Sequence, residues 1–310
     1  MDLSAIDPAL LVAALMVSAT PILLAALGEM VVERAGVLNL GVEGMMIIGA
    51  VTGFIVGFNT EVPALGFVAA AFASALLALA FGLLTQVLLS NQVATGLGLT
   101  LVGLGLSALL GKPYEGMKAP TLSQIDFGPL SDLPFLGPVL FGHDPVVYLS
   151  LLLVLVVWYV IKHTRVGLIL RAVGENHDAA HALGYKVVRI RLAAIAFGGS
   201  LAGLGGAYLS LVRLPQWTEG MTAGAGWIAL AIVVFASWRA GRVLIGAYLF
   251  GGLTVLQLNL QAAGVTIGVQ YLSMAPYLIT ILVLVLITSG KGRGSHAAPA
   301  SLGRAFQQSR

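Results

Sequence analysis

Residues 162–191 read KHTRVGLILRAVGENHDAAHALGYKVVRIR and lie between two long apolar blocks. The stretch holds six of the chain's sixteen Lys and Arg and three of its five His. A turn between two membrane helices needs neither thirty residues nor this chemistry. Its size and charge point to a docking surface. From Val166 to Tyr185 the pattern also carries an internal helix signal: Gly174, Glu175 and Asn176 interrupt a first helical stretch. Asp178, Ala179, Ala180, Ala182 and Leu183 then form a short helix closed by Gly184. Such a helix, with an alanine-rich face, can lie in a groove of another protein, with Arg171 and Glu175 pairing charges at the rim. The competing reading is a solvated loop. The length, the helix signal and the small apolar face argue against it.

The rest of the chain sets this stretch in context. Of 310 residues, 58% are hydrophobic and 9% charged, with mean hydropathy +0.98. A soluble domain carries about 25% charged residues, so charge this sparse cannot cover a water-facing surface and lipid is the main solvent. The fold class is therefore an all-α polytopic membrane protein. Nine blocks approach the ~20 residues a bilayer requires: 9–28, 41–58, 63–89, 92–110, 145–161, 190–212, 223–238, 243–261 and 271–288. The expected count is about nine spans, within eight to ten. The division is a transmembrane domain over 1–290, a loop at 162–191, a second loop at 111–144 on the other side, and a polar, disordered tail over 291–310.

Lys and Arg bias sets the orientation. If 162–191 is cytoplasmic, then Arg34, the pair Arg239 and Arg242, and the tail with Lys291, Arg293, Arg304 and Arg310 fall on the same side. The 111–144 loop, with Lys112 and Lys118 as its basic residues, and the acidic N-terminus fall outside. MDLSAIDPALL lacks the positive charge a cleavable leader would carry, so the first block reads as a retained helix. The absence of cysteine excludes disulfides, thiolate metal sites and cysteine nucleophiles. The net charge of +3 reflects membrane topology and not a nucleic-acid surface.

Several polar residues abut or enter apolar blocks, where such groups are costly and face a cavity or a partner. In EMVVERAGVLNLGVEG (29–44), Asn39 and Glu43 are candidates for a translocation path, against the reading of an interfacial loop. Asn91, Gln92 and Thr95 open the fourth block and suit a pore-side helix start or interhelical hydrogen bonds. Gln257 lies late in the eighth block, on one face with Gln261. In GGSLAGLGGA, Gly199, Gly203 and Gly206 fall on small-residue spacings that let helix backbones approach closely.

Two enzyme-like patterns fail. HDAAH (177–181) places two His on one helix face, but no third ligand is evident, Asp178 replaces a glutamate base, and the basic surroundings oppose a cation. GLSALLGKP (105–113) has the wrong spacing for a nucleotide loop and ends on proline. No catalytic residue, metal or cofactor is expected.

ERAGVLNLGVEGMMIIGA (33–50) together with LRAVGENHDAAHALGY (170–185) resembles the permease subunits of ABC importers, nearest to the branch serving nucleosides and simple sugars and more broadly related to ribose and branched-chain amino acid permeases. The resemblance covers nearly the whole chain. It implies that Arg171, Gly174, Glu175, Asn176, Ala179, Ala180 and Gly184 form the segment that docks on a separate ATPase subunit. It also implies a second permease chain, different and longer, an external substrate-binding protein or lipoprotein, and residence in the bacterial inner membrane. The function expected is inward translocation of a small polar solute, a nucleoside first, with simple sugars, riboflavin-like molecules or branched-chain amino acids as alternatives. An ion-coupled secondary transporter is the rival of another class. It would want mid-span charge and an inverted repeat, neither of which the sequence displays.

Overall fold

The computed structural model describes residues 7–262 other than 132, residues 298–307, and positions 274, 278, 281, 282 and 285. Ten α-helices are described: α1 Pro8–Arg34, α2 Val42–Thr60, α3 Pro63–Gly82, α4 Gln92–Gly111, α5 Pro145–His163, α6 Arg165–Glu175, α7 His177–Ala182, α8 Val187–Tyr208, α9 Ala225–Phe235 and α10 Ala240–Ala262. Seven of them are long and apolar enough to cross a membrane: α1 to α5, α8 and α10, with π-helical turns extending α3 and α8.

The helix starts follow from local chemistry. Asp7, Asn91, Asp144, Thr164 and Asn176 each accept a backbone N–H of the first turn, and Pro occupies the first position of α1, α3 and α5. Helix α1 is buried all round from Ser18 to Met30. A helix apolar on every side belongs at the centre, and α8, α10, α9 and α5 surround it.

The closest contacts run along α8. A methyl group added at Gly206 would overlap the carbonyl of Met46 in α2. At Gly203 it would meet Ala70 and Ser74 of α3, and at Gly199 it would meet Ala78 and Ser74. Gly28 of α1 faces Gly198. Lipid exerts no hydrophobic drive between helices, so this backbone-to-backbone approach is how α1, α2, α3 and α8 gain dispersion contact. Helix α4 touches α2 along a narrower line, Gly96 on Gly41 and Gly103 on Gly44. Its other face presents Leu101 and Leu109, each 70% exposed, which suits a lipid-facing helix.

Two sequence expectations meet a different arrangement, and a third lies outside the described residues. The seventh block, 223–238, holds a helix of only 11 residues, about 16 Å long and so roughly half a span. Gly224 (φ 85°) precedes it, and Ser237 and Trp238 (φ 50° and 55°) follow it in the left-handed region, which ends a helix at both places. The ninth block, 271–288, lies outside the described residues apart from isolated positions. Within the expected disordered tail, residues 298–307 pack on the body. Ser301 N–H donates to Gly174 O (2.9 Å), Gly303 N–H to Gly36 O (3.2 Å), and the Phe306 ring lies against both His177 and His181. Backbone partners and one aromatic anchor fix a segment whose composition looked unstructured.

Candidate functional site

Helices α6 and α7 build a two-sided element. Asn176 ends α6 and caps α7, its Oδ1 accepting Ala179 N–H at 3.0 Å. At the far end Gly184, at φ 88°, lets Tyr185 N–H reach back to Ala180 O (3.1 Å) and its own N–H reach His181 O (2.8 Å), the hydrogen-bonded ending that favours glycine. The break falls at Asn176, and α6 continues through Gly174 and Glu175. Gly174 is instead a contact point: its Cα lies against the Arg34 carbonyl at the α1–α2 turn, and any side chain would overlap it.

The two faces of α7 differ in kind. His177 and Ala180 point inward, and Ala180 joins Val173, Val187 and Phe306 in a small apolar cluster. Outward lie Glu175, Asn176, Asp178, Ala179, Ala182 and Gly184, with Leu183 77% exposed. A large apolar side chain this open, on a short helix rimmed by small and charged residues, suits a partner's groove.

Beneath this element sits Arg191, 0% exposed at the start of α8. Its Nε donates to Ala35 O (3.1 Å), and Nη1 donates to Gln86 Oε1 and to Arg304 O, both at 3.1 Å. Nη2 faces His177 Nδ1 at 3.1 Å. One guanidinium thus ties the α1–α2 turn, the end of α3, the 298–307 segment and α7 together. A rigid fork of five donors suits this task, and a lysine would not. Burial disfavours the charged His177 imidazole most, Arg191 adds to this, Asp178 opposes it and Arg304 adds again, so the His177 pKa lies below its usual value. The neutral ring can accept from Arg191 at Nδ1. Neither Arg191 nor the 298–307 segment stands out in the sequence as a junction; the one signal is an arginine at the start of an otherwise apolar block.

Most of the polar residues singled out on the spans hydrogen-bond within the protein, although among the described residues Gln92 Nε2, Ser18 Oγ and Gln261 Nε2 are buried without a hydrogen-bond partner. Asn39, 1% exposed, braces its own turn: Oδ1 accepts Gly41 N–H (3.0 Å), and its backbone N–H and Nδ2 donate to the Glu29 carboxylate (3.3 and 3.4 Å). Glu43, 3% exposed, accepts Thr222 Oγ1–H (2.6 Å), Gly224 N–H (2.9 Å) and Gly226 N–H (2.7 Å). Its carboxylate therefore fixes the N-terminus of the half-helix α9, where both the free amides and the helix dipole favour negative charge. Gln92 Oε1 accepts Leu38 N–H (2.8 Å). Asn91 caps α4, and Thr95 Oγ1 pairs with Ser90 Oγ at 2.8 Å. Gln257 is half-buried far along α10. Asn39, Glu43 and Gln92 meet around the start of α2 and the turn before it, while Gln257 stands apart. Sequence reasoning missed Thr222 and Gly224 as the partners of Glu43; the run EGMTAGAG (219–226) carries the signal, a glycine-rich break inside an apolar block.

At the same end of the bundle, Glu33 accepts the Trp238 indole N–H, and Arg34 donates through Nε and Nη2 to the Trp238 carbonyl (3.1 and 2.9 Å). The ERAG turn thereby holds the chain between α9 and α10. Among the described residues, no group of three or more His, Cys, Asp or Glu could hold a metal ion.

Comparison with known proteins agrees with this architecture. Residues 11–288 match the family described as the branched-chain amino acid transport system / permease component. A putative glucose ABC transporter permease protein of Haloferax volcanii is 42% identical over 289 residues, covering 86% of this chain and 88% of its own length. A guanosine ABC transporter permease protein of Bacillus subtilis is 34% identical, covering 89% and 91%. A nucleoside ABC transporter permease protein of Lactococcus lactis is 31% identical, covering 89% and 92%. No solved structure matches significantly. With the family's match running through nearly every described span, the chain belongs to the permease components of the branched-chain amino acid transport system family, multi-pass membrane subunits of ABC transporters.

Proposed function

We propose that this chain forms the membrane path of an ABC importer. It moves a small polar solute inward by alternating access while ATP is bound and hydrolysed on a partner subunit. The observation that carries the reading is the two-sided α6–α7 element. One face is open and holds Leu183, and the other is keyed through Gly174 and Arg191 to α1, α3 and α8. Force applied to the outer face has a rigid route into the spans. Arg171, Gly174, Glu175, Asn176, Ala179, Ala180 and Gly184 are the coupling segment in this reading. The end of the bundle that carries Arg34, Lys162, Arg239 and Arg242 is cytoplasmic, by the positive-inside rule.

Asn39 and Glu43 act on the path by positioning the α1–α2 turn and the half-helix α9, with Gln257 closer to its other mouth. A second, different permease chain and an external binding protein complete the assembly. The solute is a nucleoside by the resemblance of the two motifs and the relatives from Bacillus and Lactococcus. A simple sugar is the second reading, favoured by the 42% identity to the putative glucose permease.

The test is the double substitution Glu175→Arg and Ala179→Trp in the intact transporter. Uptake and co-purification of the ATPase are both lost, while the permease still inserts. Unchanged uptake would overturn the coupling assignment. Binding of guanosine, uridine and glucose by the partner binding protein, read by thermal shift, separates the two solute classes.

A further inference from the structure

A cavity of about 630 Å³ opens at the basic end of the bundle, away from the outer face of α7. Five cationic side chains from four places in the sequence border it: Arg34 at the end of α1, Lys162 at the end of α5, Arg171 on α6, and Arg239 and Arg242 at the start of α10. Among the described residues, no carboxylate borders it. Glu33, next to Arg34 in sequence, is turned inward and takes the Trp238 indole N–H. Among the described residues, Arg34, Lys162, Arg171 and Arg242 form no ion pair within 4 Å. What Arg34 and Arg171 donate to are backbone carbonyls, of Trp238 and Gly167, and each guanidinium has further N–H groups left to offer. Lys162 lies over the Trp158 ring, 5.5 Å from its centroid.

Positive charges gathered around one partly enclosed space repel one another, and a bound anion relieves that repulsion. Guanidinium forks match the oxygens of a phosphate group two at a time. The remaining wall is largely apolar or aromatic, with Met30, Ile161, Trp158 and Trp238, where the apolar helices α1 and α5 end and α10 begins. Trp158, 45% exposed, has the one apolar and one wet side that suit an interface.

We propose that this cavity is a binding site for a phosphate-class oxyanion. Two sources offer that chemistry, the headgroup of an anionic phospholipid and free phosphate in solution. Basic pockets between membrane helices take phospholipid headgroups on general electrostatic grounds, and the apolar wall gives such a lipid a place for the start of its chains. The site uses Arg34 and Arg171 but does not depend on ATPase docking.

The test uses the full-length transporter in nanodiscs of phosphatidylcholine alone or with phosphatidylglycerol. Native mass spectrometry reads the lipid retained, and the thermal midpoint is followed in parallel. Phosphatidylglycerol is retained over phosphatidylcholine by roughly tenfold or more, given the contribution of each basic residue near a charged headgroup. Lys162→Gln with Arg242→Gln brings that ratio close to one, and Arg165→Gln, a charge outside the cavity, leaves it in place. If phosphatidylglycerol gives no advantage but millimolar inorganic phosphate raises the midpoint in neutral nanodiscs, and the double variant abolishes the rise, the source is free phosphate. Equal retention of both lipids with no response to phosphate overturns the proposal, as does a preference that Arg165→Gln removes as fully as the double variant. Should the double variant fail to insert, Lys162→Gln alone, at an exposed side chain, decides on the same readings. Loss of ATPase co-purification in the Glu175 and Ala179 variant with the lipid preference unchanged shows that the two sites stand or fall separately.

Discussion

Arg191 and Glu43 are both buried charged groups whose hydrogen bonds reach across the fold, yet they join different things. Arg191 binds surface-bearing segments to the bundle: α7, the 298–307 stretch, the α1–α2 turn and the end of α3. Glu43 binds two parts of the bundle to each other, α2 and the start of the half-helix α9. In the proposed reading, the cation lies where a push from the ATPase would enter the spans. The carboxylate lies at the start of the short helix α9. A buried charge with a full set of partners is costly to disturb, so each makes its junction behave as one body. The difference teaches that one device, a buried charged side chain with several backbone and side-chain partners, serves two kinds of junction: peripheral segments to the bundle, and one helix to the start of another.

Removing the guanidinium breaks the comparison most severely. Arg191→Met leaves the Ala35 and Arg304 carbonyls, the Gln86 amide and His177 without their donor. The expected cost is on the order of 3–5 kcal/mol, by analogy with breaking a buried charged pair. Uptake falls to background. If the permease still inserts and the ATPase still co-purifies, ATP hydrolysis proceeds without transport, because the outer face of α7 is intact and its inner connection is lost. Arg191→Lys restores part of the coupling ratio, since one ammonium reaches fewer of the four partners. Full transport in Arg191→Met, measured in proteoliposomes, defeats the idea of a junction.

A milder change at the other pole sharpens the contrast. Glu43→Gln keeps the shape and one acceptor oxygen but presents an NH₂ where a second acceptor stood, facing the Gly226 N–H. A loss of about 1–3 kcal/mol is expected from a donor left unpaired at depth. Transport declines while ATPase co-purification and ATP turnover stay near the native level. If co-purification falls in parallel with uptake, Glu43 and Arg191 serve one junction and the distinction collapses.

The smallest effect is a pH dependence at His177. Its pKa is depressed in the fold, by burial first and Arg191 next, with Asp178 opposing and Arg304 adding. An unfolded or undocked His177 takes up a proton more readily than the docked one. The junction is therefore at full strength above the ordinary imidazole value of about 6.5 and weakens as pH falls below it. Between pH 7.5 and roughly 5.5, coupling of ATP turnover to uptake should decline modestly, and His177→Asn should flatten that slope. An identical slope in the variant places the titration elsewhere.

The legible parts of this protein are the local ones. Apolar runs of span length and the capping residues Asn91, Asp144, Thr164 and Asn176 lie within a few positions of the structure they set. The short helix closed by Gly184 could be read for the same reason: the φ of 88° and the hydrogen bonds that exploit it involve residues three and five apart. The eleven-residue α9 was harder. Its composition is as apolar as any span; at its start left-handed Gly224 in the run 219–226 gives a warning, but the left-handed turns at its end fall on Ser237 and Trp238, which give none. Asn39 and Glu43 were visible as polar groups in an apolar setting. Whether they faced a path or a partner turned on Glu29, Thr222 and Gly224, and for Glu43 the partners lie about 180 positions away.

Sequence by itself therefore determined the membrane class, most of the spans, the short helix of the 162–191 stretch and the glycine spacings of α8. Each follows from composition or from a period of a few residues. Only the tertiary structure decided where Arg191 delivers its hydrogen bonds, that residues 298–307 return to cover His177, and that five cations from four separate segments face one cavity. The physical reason is one of range. A helix is made by neighbours along the chain, whereas a buried charge is satisfied by whatever the folded bundle brings to it.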